Sequence, residues 1–160
     1  MQNTSKKNKR MVIIICSLIL LVLLIIFLPR AINYLQQGKY ASYSDGISVE
    51  IKNNTDISLS ELSFSLETTG EDERVQVFTL DEIEKGKSHA FDTKKVPTED
   101  SNLIAKFKAN GKTYEKLLPY VPSNVGKYVT EIDVKKITDS EVIISVDGFD
   151  GHNKINEENY

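Results

Sequence analysis

The sequence predicts an all-β fold: an immunoglobulin-like antiparallel β-sandwich of about seven or eight strands, preceded by one N-terminal transmembrane helix. Three observations predict it. Residues 11–28 form an almost purely apolar run. Between residues 46 and 148, apolar and polar side chains alternate in short segments, with turn residues at fairly regular spacing. These segments are not interrupted by a convincing amphipathic helix, which favours a sandwich.

The apolar run is long enough to span a bilayer. Ser17 is its only clearly polar residue, and its 18 residues would cover roughly 27 Å as a helix, close to the thickness of the hydrocarbon core. The run is longer than the apolar core of a cleaved signal peptide, and Pro29 stands where cleavage requires a small residue. We therefore expect an uncleaved signal anchor in contact with the lipid bilayer, in preference to a cleaved signal.

Charge is distributed unequally on the two sides of this run. Residues 1–10 carry four basic residues and no acidic one, whereas residues 30–160 carry 16 basic and 23 acidic residues, a net charge of −7. The positive-inside rule predicts a cytoplasmic stub at 1–10 and an extracellular C-terminal domain, in a single-pass protein of the cytoplasmic membrane. The acidic balance argues against nucleic acid as a partner.

Cys16 is the only cysteine and lies in the stretch IIICSLIL. A bacterial lipidation site places its cysteine after the apolar core and behind a small residue, whereas Ile15 precedes Cys16 and most of the run follows it. We interpret Cys16 as an apolar side chain of the helix, with reversible acylation or a helix contact as weaker alternatives. The domain beyond it must be stable without disulfides.

The rest of the chain divides into three parts. Residues 29–45 are expected to form a juxtamembrane connector in which the helix continues past Pro29, and polar residues 149–160 are expected to form a flexible tail. In the sandwich, Asn110 and Gly111 give the strongest hairpin signal. The alternating segments predicted as strands are 46–53, 62–67, 74–80, 88–93, 103–108, 112–118, 130–134 and 141–146.

The stretch ISVEIKNNTDISLSELSFSLET reads as a strand, an Asn-rich turn and a second strand. It resembles the opening of the sandwich in uncharacterised small single-pass membrane proteins of Gram-positive bacteria. The resemblance is one of architecture, comprising a basic stub, one span and a small extracytoplasmic β-sandwich, and it covers most of the chain. It implies a location and a fold class, and it does not imply a reaction.

Titratable residues are not grouped as a catalytic or metal site requires, so we expect no enzyme activity, no cofactor and no metal. His89 lies in a predicted strand, and His152 lies in a stretch that does not match the spacing of a calcium loop. The acidic clusters 71–73 and 81–84 are expected to be solvated loop ends, with a basic partner or a cation as the weaker alternative. We interpret the glycosylation sequon that starts at Asn53 as a turn.

A tethered all-β scaffold without catalytic motifs predicts a membrane-anchored binding module. It would recognise a protein or a cell-envelope component through a sheet edge or through loops 94–102 and 119–126. Tyr120 in the second loop is the candidate partner-binding residue. The alternative is an accessory or structural subunit of a membrane complex, recruited through its transmembrane helix.

Overall fold

A computed structural model of the chain describes residues 2–68, 74–138 and 141–158. The chain divides into two compact units, Met1–Ala41 and Ser42–Tyr160. The acidic cluster predicted as a solvated loop end at 71–73 lies outside the described residues.

The first unit is dominated by one α-helix, α1, which spans Gln2–Gln37 and contains Pro29. Gly38 follows it with a φ of +58°, a left-handed conformation that ends many helices. The prediction that the helix continues past Pro29 is therefore confirmed. Every side chain from Met11 to Leu28 is exposed, and the helix is long and apolar enough to cross a membrane.

The second unit contains two β-sheets. Its nine described strands are β1 (Gly46–Asn53), β2 (Leu59–Thr68), β3 (Arg74–Ile83), β4 (Ser88–Thr93), β5 (Ser101–Ala109), β6 (Lys112–Val121), β7 (Lys127–Ile137), β8 (Val142–Phe149) and β9 (Lys154–Glu158). One sheet has the order β4-β1-β7-β8-β9 and the other β3-β2-β5-β6. The predicted all-β fold behind one apolar helix is confirmed, whereas the immunoglobulin-like plan stays a prediction.

The ninth strand lies in the segment where the sequence predicts a flexible tail. The Asp150 side chain accepts hydrogen bonds from the backbone N–H groups of His152 (2.8 Å) and Asn153 (2.6 Å). With Gly151 at a φ of +94°, this turn returns the chain along β8. The turn chemistry of Asp and Gly outweighs the polar composition that suggested a tail. The sheet therefore extends to residue 158 and does not end at 148.

The prediction of a wholly antiparallel sandwich is wrong for one pair of strands. β1 and β7 run parallel, from Gly46 opposite Lys127 to Asn53 opposite Val134, and the other pairs are antiparallel. Alternation of apolar residues indicates which face of a strand is buried, but it is the same for either direction of the neighbouring strand. The direction therefore could not be obtained from the pattern.

Both sheets contribute to one hydrophobic core. Its members include Ile47 of β1 and Ile132 of β7 from the first sheet, and Phe64 of β2 and Phe107 of β5 from the second. On one side of the sandwich, the ring of Phe78 on β3 stacks at 3.9 Å on that of Phe91 on β4. Elsewhere, the Tyr128 hydroxyl of β7 donates to the Pro119 carbonyl of β6 at 2.8 Å. Stacked rings and a buried hydrogen bond thus join the two sheets.

The predicted hairpin at Asn110 and Gly111 is confirmed. Both residues have positive φ, +51° and +73°, as a two-residue hairpin turn of type I′ requires. The turn joins β5 to β6 with Ala109 opposite Lys112. It thereby places the end of β6, which carries Tyr120, next to the start of β5.

Candidate functional site

The two loops that the sequence predicts as binding loops meet in the structure. The loop between β4 and β5 and the loop between β6 and β7 are joined by two hydrogen bonds. The Asn124 N–H donates to the Pro97 carbonyl at 3.1 Å, and the Ser123 N–H donates to Asp100 Oδ1 at 2.8 Å. The two loops therefore form one surface.

Tyr120 lies at the end of β6 beside these loops, and 43% of its surface is exposed. Its hydroxyl donates a hydrogen bond to the Asp100 carboxylate, which raises the pKa of Tyr120. The same bond and the one from Ser123 lower the pKa of Asp100. Asp100 thus holds the tyrosine and both loops together, which fixes the phenol end of an otherwise accessible ring.

Leu117 lies on the same face of the sheet as Tyr120. Leu117 is opposite Ile104 on β5 and Tyr120 is opposite Asn102, with a register shift between them. Ile104 and Asn102 are two residues apart, so they share a face, which is the face away from the core residue Leu103. Leu117 is 53% exposed. Together, Leu117, Tyr120 and Asp100 form what we call the tyrosine surface.

An ion-pair bridge crosses the same outer face. Arg74 of β3 donates through Nε to Glu67 on β2 and through a terminal nitrogen to Glu115 on β6, each at 2.9 Å. The two hydrogen bonds raise the pKa of Arg74. All three side chains are partly solvent-exposed, so the bridge contributes little to the stability of the fold. It supplies fixed polar groups on the same face as the tyrosine surface.

A groove of about 360 Å³ lies between β3 and the β4–β5 loop. Its apolar walls are Val75 and Val77 of β3 together with Val96 and Pro97 of the loop. Lys95 and Glu99 are among its polar residues. Val75 is 52% exposed, so an apolar side chain of a partner could bury it.

An acidic depression of about 300 Å³ occupies the outer face of the five-stranded sheet, lined by Glu50, Lys52, Glu131, Ile132, Asp133, Ser145 and Asp147. The Tyr43 hydroxyl lies 3.2 Å from Glu131 Oε1 and 3.3 Å from Glu50 Oε2. Burial, reinforced by both carboxylates, raises the pKa of Tyr43 to about 12. Sequence reasoning missed this cluster because its acids come from three different strands. The sequence did contain a signal for it, because each of the three strands carries an acidic residue at a position that alternation predicts to face outward.

The remaining polar candidates do not converge with these surfaces. His89 is half-buried in β4 and stacks on Phe78 at 5.6 Å, and His152 is exposed in the turn before β9. Of the second acidic cluster, Asp81, Glu82 and Glu84 are exposed as predicted, but Asp81 and Glu82 belong to β3 and not to a loop. Within residues 2–68, 74–138 and 141–158, no group of three or more His, Cys, Asp or Glu side chains could hold a metal ion.

The described residues define a β-sandwich with a tyrosine surface at one end, in a chain with one apolar N-terminal helix. No family model, curated protein or solved structure matches the chain. The geometry of these residues is therefore the basis for inferring a function.

Proposed function

We propose that this protein is a membrane-anchored, extracytoplasmic binding module without catalytic activity, which recognises a protein or a cell-envelope component through the tyrosine surface. The observation that carries the proposal is the convergence of both loops on Asp100, beside the exposed side chains of Tyr120 and Leu117. We further propose an immunoglobulin-like plan and an origin in a Gram-positive bacterium.

Tyrosine is well suited to this role because its ring supplies a large contact area with few rotatable bonds. Here the hydrogen bond to Asp100 restricts Tyr120 further, so less conformational entropy is lost when a partner covers the ring. Leu117 extends the apolar area, and the Arg74–Glu67–Glu115 bridge supplies a polar rim. An apolar centre with a polar rim is the usual composition of a binding interface.

The location is supported by α1 and by the charge distribution. The helix is long and apolar enough to cross a bilayer, and the four basic residues that precede its apolar run favour a cytoplasmic N-terminus. The sandwich would then lie outside the cell, where it can contact envelope components while it remains tethered.

One experiment tests both location and binding. A full chain with Cys16→Ser and Leu117→Cys is expressed in a Gram-positive host and treated, in intact cells, with a membrane-impermeant thiol reagent that carries a photocrosslinker. We expect labelling at residue 117 and capture of one reproducible partner. The matched control carries Thr113→Cys, an exposed position of the same strand, and should capture much less of it.

Failure to label intact cells, with labelling after lysis, would contradict the proposed orientation. Labelling without preferential capture at residue 117 would contradict the binding role of the tyrosine surface. Adding Tyr120→Ala should reduce capture by about tenfold, because removing an aromatic anchor from the centre of an interface typically costs 1–2 kcal/mol or more.

The accessory-subunit alternative makes a different prediction about α1. Replacing residues 11–28 with an unrelated span of equal length should leave capture at residue 117 unchanged if the tyrosine surface binds the partner. Loss of capture, with the protein still in the membrane fraction, would favour recruitment through the helix.

A further inference from the structure

Strand β3 differs from the other sheet edges. Among the described strands, the edges are β3 and β6 in one sheet and β4 and β9 in the other. Three of these edges carry residues that discourage strand pairing, such as Pro119 in β6, Asp92 in β4 and Glu157 in β9. In β3, by contrast, six consecutive residues from Val75 to Leu80 are uncharged and contain no proline. Such a run on an edge favours pairing with another strand.

The sequence of this edge is complementary to itself. RVQVFTLD, residues 74–81, reads as a charge followed by apolar, polar and apolar residues, and then as the same series in reverse order with the opposite charge. When the segment is aligned antiparallel with the same segment of a second copy, apolar residues stand opposite apolar residues, polar opposite polar, and the positive charge opposite the negative one. The opposed pairs are Arg74 with Asp81, Val75 with Leu80, Gln76 with Thr79, and Val77 with Phe78.

A bulge in β3 places the two members of each pair on the same face of the sheet. Residues 75 and 80 would face opposite sides of a regular strand, because they are an odd number of positions apart. However, the β2–β3 register shifts in the middle, and Val77 has no partner on β2. As a result, Val75 and Leu80 both pair with buried leucines of β2, whereas Gln76 and Thr79 both pair with serines.

We propose that β3 pairs antiparallel with β3 of a second copy of this chain, in the register that places Arg74 opposite Asp81. Arg74 keeps guanidinium N–H donors beyond those it uses on Glu67 and Glu115, so it also attracts Asp81 of the second copy at each end of the contact. The identical edges form a two-fold symmetric, closed interface. In this register Leu80 of the second copy stands beside Val75, next to the groove of about 360 Å³. That leucine therefore lies beside the exposed Val75 wall of the groove, and the two-fold symmetry repeats this contact on each copy.

This pairing does not rest on the proposed function, although the two share Arg74, which also forms the bridge to Glu67 and Glu115. Tyr120 and Leu117 lie on β6, which is the opposite edge of the same sheet. A dimer through β3 therefore leaves the tyrosine surface accessible on both copies.

Disulfide crosslinking resolves the register. Two full chains, both with Cys16→Ser, carry Gln76→Cys or Thr79→Cys and are coexpressed and oxidised in membranes. Directly opposed residues lie about 5 Å apart, within reach of a disulfide, whereas identical positions are offset by three residues, or about 10 Å along the strand. We expect mixed 76–79 dimers to exceed 76–76 and 79–79 dimers several-fold. Equal yields of all three combinations, or no dimer, would overturn the proposal.

Charge reversal provides a second test. Asp81→Lys places a cation opposite Arg74 at both ends of the contact. It should lower the dimerisation constant about three-fold, the weaker end of the range for cross-strand charge pairs, because Glu67 and Glu115 already partly neutralise Arg74. Asp92→Lys makes the same change on the β4 edge, where the side chain is also exposed, and should not lower it. Equal effects of the two substitutions, or crosslinking of residue 76 to a different protein instead of a second copy, would contradict pairing through β3.

Discussion

Asn53 shows how much one buried polar residue can organise in this sandwich. Its side chain is fully buried. The amide donates to the carbonyl of Ile57 at 2.7 Å and to that of Ile83 at 3.1 Å, and Oδ1 accepts from the N–H of Thr55 at 3.1 Å and from its hydroxyl at 2.7 Å. The interpretation of the sequon as a turn agrees with this geometry, since the amide nitrogen is already committed to hydrogen bonds inside the fold.

Replacement of Asn53 by Ala should therefore be costly. It would leave two carbonyls and the Thr55 N–H without these partners, and we expect a loss of about 2 to 3 kcal/mol in the free energy of unfolding. The measurement is urea unfolding of the full chain in detergent micelles. Asn54→Ala is the matched control, because Asn54 is exposed and its side-chain amide donates to the Asp133 carboxylate at 2.7 Å in a solvent-exposed hydrogen bond. A loss of similar size in the control would contradict the role assigned to Asn53.

The raised pKa of Tyr43 predicts that the protein loses stability as the pH becomes strongly alkaline. Its pKa in the folded protein is about 12, whereas an unperturbed tyrosine titrates near about 10. The folded state therefore holds the Tyr43 proton more tightly than the unfolded state does. The protonated hydroxyl contributes fully to the free energy of unfolding below a pH of about 10, and this contribution is lost as the pH rises towards about 12. Tyr43→Phe removes the titrating group, so its unfolding midpoint should fall less steeply with pH across this range.

Lysines also titrate in that pH range, so the informative quantity is the difference between the two proteins. Urea midpoints of the full chain and of Tyr43→Phe should converge between pH of about 10 and 12. Parallel curves would show that Tyr43 is not shielded by burial and by the carboxylates of Glu131 and Glu50.

Among the elements, the β5–β6 hairpin was the easiest to predict because its signal is local. Asn110 and Gly111 tolerate the positive φ that a tight turn imposes. Gly111→Ala should cost about 1 kcal/mol of unfolding free energy, since a side chain at a φ of +73° is strained. Gly126→Ala is the control: Gly126 does not have a positive φ and a Cβ there would meet no atom within 4 Å. Equal losses in urea unfolding would refute this account of the turn.

Other elements depended on interactions that the local pattern does not reveal. β9 was missed because the residues of its turn resemble a polar tail, and the Asp150 hydrogen bonds that form the turn are visible only in the folded chain. The bulge at Val77 was missed because it arises from the pairing of β3 with β2. Strand boundaries differ from the predicted ones for a similar reason. β6 extends to Val121, so Tyr120 belongs to a strand and not to the predicted loop.

At the level of the whole molecule, two properties follow from where the apolar residues and the single cysteine stand in the sequence. The apolar run forms a helix that is long and apolar enough to cross a membrane, and a helix satisfies its own backbone polar groups where hydrocarbon offers no other partners. The absence of cysteine after Cys16 meant that the sandwich had to be held by noncovalent contacts. The shared core and the aromatic stack between β3 and β4 supply such contacts in the described residues.

The sequence was sufficient for the apolar helix, most strands and the Asn110–Gly111 turn, because each depends on the order of neighbouring residues through hydropathy, period-two alternation or the conformational preference of a turn. It also led to the hypothesis of a binding site at both loops and Tyr120, and that role stays a prediction. The parallel β1–β7 pair, the convergence of the loops on Asp100 and the acidic face were decided by tertiary structure. Each joins residues that are far apart in the chain, and their proximity depends on how the two sheets assemble around one core.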